Sequence, residues 1–128
     1  MQNKQKGEKA ELKAMSFFVE NGYKVYLPWG VNPDVDLVAE NQDGLIRIQV
    51  KYAGSYGVNG KCVAALRVMG GNQSFHTAKK YSDDAFDYLF IYTAKDEQYL
   101  IPWRELVNRS SVNIEAPKYL SYKIVMQG

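Results

Sequence analysis

The segment Leu45-Ile-Arg-Ile-Gln-Val-Lys51 sets an amide and an amine two residues apart on a β-rich run. Period-two alternation puts Ile46, Ile48 and Val50 on one face of such a strand and Arg47, Gln49 and Lys51 on the other, so Gln49 and Lys51 project side by side. Asp36 opens a second apolar run, Asp-Leu-Val-Ala, and Asn41-Gln-Asp-Gly44 between the two reads as a turn. An antiparallel hairpin follows, with Asp36 near the end of the strand that carries Gln49 and Lys51. A third group comes from an expected helix over residues 8–21. At about 100° per residue, Lys9, Lys13, Ser16 and Glu20 share a solvated side, while Ala10, Leu12, Ala14, Met15, Phe17, Phe18 and Val19 spread over the other. Glu11 falls within the apolar arc, where a carboxylate is costly unless something pairs with it. Each signal has a plain alternative: a buried salt bridge for Glu11, an edge hairpin with one wet face for the strands. Together they offer carboxylate and amide oxygens plus one positive charge. Metal-assisted phosphodiester hydrolysis needs that set, with a cation to polarise the phosphate and acidify a water and a lysine to orient that water or stabilise the developing charge.

The elements expected to carry these groups are a helix ended by Gly22 and strands at Tyr23–Leu27, Asp36–Ala39, Leu45–Tyr52 and Cys62–Val68. Gly54–Gly60 reads as a mobile loop. Ser82 caps a short helical turn through Phe86, strands follow at Tyr88–Tyr92 and Tyr99–Ile101, and Pro102 opens a short helix through Val107. A last strand is expected over Tyr119–Val125. This order implies one α/β domain across residues 1–128, with a central mixed sheet flanked by helices.

Composition narrows the chemistry. The chain has 128 residues, 46% hydrophobic and 23% charged, which is ordinary globular usage. No apolar run approaches the roughly 20 residues needed to span a bilayer, and the charged start lacks the apolar stretch of a signal peptide, so a cytoplasmic, membrane-free protein is expected. One cysteine and one histidine exclude an internal disulfide, a cysteine-based zinc site and a His-rich site. A metal here must be held mainly by oxygen, which favours Mg²⁺ or a similar hard cation. A net charge of +2 decides little about nucleic acid.

The run Lys6-Gly-Glu-Lys-Ala-Glu11, then Pro33-Asp-Val-Asp36-Leu-Val, then Ile48-Gln49-Val-Lys51 resembles the core of PD-(D/E)XK nucleases in order, spacing and strand context. The Gly-Glu-x-x-Glu opening and the Gln-Val-Lys ending are most similar to intron-encoded homing endonucleases of that superfamily. Lys80-Tyr81-Ser-Asp-Asp-Ala-Phe-Asp87-Tyr-Leu-Phe-Ile-Tyr92 and Tyr99-Leu-Ile-Pro102 echo their later segment. The resemblance implies a restriction-endonuclease-like fold and a site-specific double-strand DNA endonuclease. It implies a catalytic set of Glu11, Asp36, Gln49 and Lys51, and Mg²⁺, replaceable by Mn²⁺, on Glu11, Asp36, Gln49 and the Val50 backbone carbonyl. Gln49 departs from the pattern, since an acidic residue usually stands two before the lysine. An amide brings an oxygen without a charge, which leaves room for weaker metal binding or a catalytically dead relative. Both Asp34 and Asp36 follow Pro33; Asp36 is preferred because the apolar strand begins after it, and Asp34 in Asn-Pro-Asp reads as turn chemistry.

One active site per chain implies a homodimer or homotetramer for cutting both strands of a duplex. Alternatives are a Holliday junction resolvase-like nuclease sharing the core and a non-catalytic DNA-binding module of the same fold. Candidate DNA contacts are Lys4, Lys6 and Lys9, then Ser55, Tyr56 and Asn59 in the glycine-rich loop, then Lys61, Arg67, Lys79 and Lys80. His76 reads as a surface or DNA-backbone residue, and Tyr81, Tyr88, Tyr92 and Tyr99 as core and sheet packing. Asp83, Asp84 and Asp87 are most simply explained by capping and a helix start.

Overall fold

The computed structural model describes residues 2–31, 34–68 and 79–125. Helix α1 spans Asn3–Glu20 and starts five residues earlier than expected, so Lys4 and Lys6 lie within it as well as Lys9. The backbone N–H of Gln2 donates to Gln5 Oε1 at the start of α1. At its end Gly22 takes φ +84°, a left-handed conformation that costs glycine little. That lets the Gly22 N–H reach the Val19 carbonyl at 3.1 Å and the Tyr23 N–H reach the Phe18 carbonyl at 2.9 Å, a Schellman ending. Phe18 and Tyr23 close it with an edge-on ring contact, centroids 5.2 Å apart.

The strands are β1 (Lys24–Tyr26), β2 (Leu37–Asn41), β3 (Gly44–Tyr56), β4 (Lys61–Ala65), β5 (Arg67–Val68), β6 (Lys79–Lys80), β7 (Tyr88–Thr93), β8 (Gln98–Pro102) and β9 (Ser111–Asn113). Strand β3 organises the sheet. It pairs antiparallel with β2 from Gly44 to Ile48, parallel with β7 from Ile48 to Ala53, and antiparallel with β4 from Gly54 to Tyr56. The β2–β3 hairpin turns at Gln42–Asp43, with Asn41 Oδ1 accepting the Asp43 N–H at 2.9 Å and Gly44 at φ +128°. Strand β8 continues the sheet beyond β7, β9 beyond β4, and β5 and β6 form a separate two-stranded ribbon.

Alternation along β3 and β7 divides the core in two. Ile48, Val50, Phe90 and Tyr92 face α1, where Ala10, Ala14 and Phe18 are fully buried. Ala53, Leu89 and Ile91 face the other way, against Cys62, Ala64, Tyr81, Trp103, Leu106 and Ile114. Among the described residues α1 is the one α-helix, so strands and loops, not further helices, cover this second face.

The structure corrects several expectations. It also rules out the plain alternative of an edge hairpin with a wet face: β7 lies beside β3 and Gln49 is only 4% exposed. β3 also runs four residues further than expected, so Ser55 and Tyr56 are strand residues and the turn is confined to 57–60. Ser82–Phe86 is a turn closed by the Ala85 N–H on the Ser82 carbonyl. The helix after Pro102 is a single 3-10 turn, Trp103–Glu105. In place of the last strand stands a 3-10 helix over Pro117–Tyr122, opened by Pro117 and followed by one bridge between Lys123 and Tyr99. Proline presets the helical φ at that start and offers no N–H to a ladder. Strand β9 went unanticipated because three residues are too short to show alternation.

The buried stripe of α1 is narrower than the apolar arc in its sequence: Leu12 and Val19 are 63% and 60% exposed. Ala14→Leu should therefore cost about 1–3 kcal/mol through overpacking against the sheet, while Leu12→Ala should cost less than about 0.5 kcal/mol. Urea unfolding followed by circular dichroism measures both, and equal costs would mean that α1 does not seat on the sheet through its alanines.

Candidate active site

The candidate groups meet where β2 ends and β3 runs on. The ladder between them extends by one bond, from the Asp36 N–H to the Ile48 carbonyl at 2.9 Å. Past that point the Val50 N–H turns to a side chain, donating to Asp36 Oδ2 at 2.8 Å. Leu37 faces Ile48 in the register, so Asp36 falls beside Gln49. Gln49 Nε2 donates to the Asp34 carbonyl at 2.9 Å, tying β3 to the chain that leads into β2. Pro33 lies outside the described residues, and Asp34 meets Gln49 through its backbone.

Lys51 shares the Gln49 face of β3. Its ammonium donates to the Arg67 carbonyl at 3.2 Å and lies 5.2 Å from the centroid of the Tyr81 ring. Burial lowers its pKa and the Asp36 charge opposes that fall. Burial raises the Asp36 carboxyl, against the lowering influences of the Val50 N–H and the Lys51 charge.

Glu11 does not point into the core, as its place in the apolar arc suggested. It is an exposed residue on the flank of α1, one step round from the buried Ala10–Ala14–Phe18 stripe. Partial burial is still the largest influence on its carboxyl, followed by the charges of Asp36 and Glu8, and all three raise its pKa. The Asp36 charge is thus felt at Glu11, which brings the helix carboxyl within electrostatic range of the hairpin mouth. Arg47, on the Gln49 face, is occupied: Asp87 Oδ2 accepts its backbone N–H at 2.7 Å and Asp87 Oδ1 lies 3.3 Å from its guanidinium. Asp87 thereby has the structural role of joining β3 to the start of β7, and Asp83 and Asp84 are exposed turn residues.

Among the described residues no three His, Cys, Asp or Glu side chains gather at metal-binding spacing. The donors at the hairpin mouth are instead two carboxylates, the Gln49 amide and the Val50 carbonyl. Both carboxyls are raised, and Lys51 is the cation that opposes the rise at Asp36. A hard, oxygen-seeking divalent cation fits this donor set and would relieve the repulsion.

The basic candidates separate into groups. About 140–160° of helix turn divides Lys6 and Lys9 from Glu11 at 100° per residue, and their ammonium groups lie 5.6 and 5.5 Å from the ring centroids of Tyr52 and Tyr92. Lys4 is exposed on the Glu11 side. Lys61, Lys80, Tyr56 and Asn59 are exposed, whereas the Ser55 hydroxyl is spent within its own hairpin, donating to the Gly60 carbonyl at 2.8 Å. Arg67 is half-buried, with its carbonyl on Lys51. For Lys79 only the backbone is described, paired with Val68, and His76 lies outside the described residues. Sequence reasoning assigned Tyr81 to packing alone. It is buried against Phe86 and Trp103, but its ring also meets Lys51, and its hydroxyl pKa is raised by burial and by the charges of Asp36 and Asp34. No local pattern announces a contact made across 30 residues.

A family model described as PD-(D/E)XK endonuclease matches residues 1–119, which includes every group at the hairpin mouth. The chain belongs to that family. It is a nuclease, with the restriction-endonuclease-like α/β fold of that family. Among solved structures it is similar to a bacterial homing endonuclease, I-Ssp6803I, with a TM-score of 0.82 and 22% sequence identity over 96% of this chain and 89% of that one. No curated protein matches the chain.

The raised Asp36 carboxyl has a consequence for the metal-free nuclease. A folded-state pKa above the unfolded value means that the folded protein binds the extra proton, so stability falls as pH rises through that folded pKa. Asp36→Asn keeps an oxygen for the Val50 N–H and removes the charge. In chelator at pH 7 it should unfold at higher urea concentration than the parent, and the gap should close near pH 3.5. A lower midpoint at pH 7 would show that the Asp36 charge is stabilised by its surroundings even without a cation.

Proposed function

We propose that this nuclease is a Mg²⁺-dependent, site-specific double-strand DNA endonuclease of the homing type. The observation that carries the reading is the half-buried Asp36 carboxylate, fixed by the Val50 N–H with the Lys51 ammonium on the same strand. The likeness in fold to a bacterial homing endonuclease supports the biological role.

Glu11, Asp36, Gln49 and the Val50 carbonyl would hold the cation, with Mn²⁺ as a substitute for Mg²⁺. When bound, a divalent cation supplies charge neutralisation at the phosphate and acidifies a water. The rest belongs to the chain. Asp36 is held in one orientation by a backbone donor, so its second oxygen keeps a fixed direction. Gln49 pins the Asp34–Asp36 segment against β3. Lys51, partly desolvated, presents a positive charge to the scissile phosphate where water screens it little, which favours the charge that develops on the phosphoryl oxygens. Lys4, Lys61, Lys80 and Asn59 are exposed and free to meet the DNA backbone. One active site per 14.6 kDa chain calls for at least two copies to cut both strands, as a homodimer or homotetramer on a partly palindromic target. The cytoplasm is the compartment in which this reading places it.

Asp36→Ala should abolish Mg²⁺-dependent cleavage of plasmid carrying the target while changing DNA affinity by no more than about tenfold, because a metal ligand is lost and no phosphate contact is. Asp34→Ala, which keeps the backbone carbonyl that Gln49 uses, should still cut. Near-parental cleavage by Asp36→Ala would refute the assignment.

Gln49→Glu should pull two properties apart. A third negative oxygen should tighten binding of Mg²⁺ or Ca²⁺ in calorimetric titration. The same change loses the donor to the Asp34 carbonyl, so the metal-free variant should be less stable by about 1–3 kcal/mol. Unchanged or weaker metal affinity would place Gln49 outside the cation site.

A further inference from the structure

Lys51 sits in an unusual setting for an ammonium. It is half-buried, and its ammonium meets a carbonyl oxygen, that of Arg67 at 3.2 Å, and a ring face, that of Tyr81 at 5.2 Å. Both lie at the foot of the β5–β6 ribbon: Arg67 is the first residue of β5, and Tyr81 directly follows β6, with Arg67 paired to Lys80. An ammonium offers three donors and rotates freely about a flexible stem, so a single carbonyl does not fix its direction. The electron-rich face of an aromatic ring attracts a cation along the ring normal and supplies the missing constraint.

The ring is itself immobilised. Tyr81 is 8% exposed and packs edge-on against Phe86 and Trp103, with centroids 5.1 and 5.9 Å away. Trp103 Nε1 donates to the carbonyl of Ser82, the next residue, at 3.0 Å. The core cluster thus grips the ring while the lysine lies over it.

We propose that Tyr81 is a positioning residue for Lys51, its ring face aiming the ammonium at the hairpin mouth while the Arg67 carbonyl holds it there. The inference deepens the nuclease reading and rests on it for the role of Lys51. It makes the ring, not the hydroxyl, the working part: no hydrogen bond to the hydroxyl occurs among the described residues.

The test compares Tyr81→Phe, which keeps the ring, with Tyr81→Leu, which keeps apolar bulk without it. Leu106→Ala, in the same core cluster but not against Lys51, controls for general loosening. Single-turnover cleavage in Mg²⁺ and DNA affinity in Ca²⁺ are measured on all three and on the parent. Tyr81→Leu should cut about tenfold more slowly, equivalent to about 1.4 kcal/mol in the barrier, with DNA affinity unchanged to within about twofold. Tyr81→Phe should cut at the parental rate.

The second readout needs no activity. An amine-reactive ester followed by peptide mass spectrometry reports how accessible Lys51 is, and Tyr81→Leu should label several-fold faster there than the parent, Tyr81→Phe or Leu106→Ala. If Tyr81→Leu does not fold, Tyr81→Met takes its place. Equal labelling at Lys51 in every variant overturns the proposal, as does a Tyr81→Phe variant as impaired as Tyr81→Leu, or a Leu106→Ala variant that matches it. A parental protein that cuts no DNA defeats the nuclease reading instead, and the labelling still decides whether Tyr81 places Lys51.

Discussion

The hydrogen bond from the Val50 N–H to Asp36 Oδ2 is the joint on which the corner depends. Where β2 stops, the β3 backbone loses its ladder partner, and an unpaired buried N–H is costly. A carboxylate at the first residue before β2 satisfies that donor and is oriented by it. The sheet's own geometry therefore generates the site: a strand that ends one residue early leaves a donor, and the donor fixes an acid. The burial that makes the bond worth having also raises the acid's pKa, so the same joint leaves negative charge without full compensation.

Gln49 makes sense within that balance. It is 4% exposed, and its amide reaches a carbonyl oxygen. A carboxylate in the same place would face that oxygen and stand with Asp36 and Glu11 as a third acid, each disfavouring ionisation of the others. The neutral amide sacrifices a charge on the cation but keeps the loop before β2 latched to β3. The hairpin mouth is thus partly held together by polar bonds that do not depend on a bound ion.

The local part of this arrangement was readable in the sequence. Alternation alone set Gln49 beside Lys51, the Asn-Gln-Asp-Gly turn fixed the hairpin, and Asp36 was chosen over Asp34 from where the apolar run begins. The reading went astray where tertiary context decides. Glu11 was assigned to the core because apolar residues spread round most of α1, whereas the helix seats on small residues, Ala10 and Ala14, whose closeness to the sheet no wheel reveals. The plain alternative of a wet-faced edge hairpin fails because β7, 40 residues on, removes the edge and the core cluster on the Ala53 side covers the face. The β7 run Tyr-Leu-Phe-Ile-Tyr was recognised as a strand; which neighbour it would choose was not written in it. Tyr81 escaped for a related reason, since one ring both packs in the core and meets Lys51.

The parallel pairing of β3 with β7 also bears on the order in which the molecule comes together. Asp36 and Val50 are 14 residues apart, and the tight turn between them makes their encounter a short loop closure. The clasp between Arg47 and Asp87 spans 40 residues and must await a much rarer chain encounter. The acidic half of the corner can therefore be organised in a nascent hairpin, while the aromatic cover over Lys51 arrives only with the docking of β7. For a chain emerging from the ribosome, the lysine stays fully hydrated and the corner stays open until the second half has been synthesised. Completion of the corner thus requires residues from the second half of the chain.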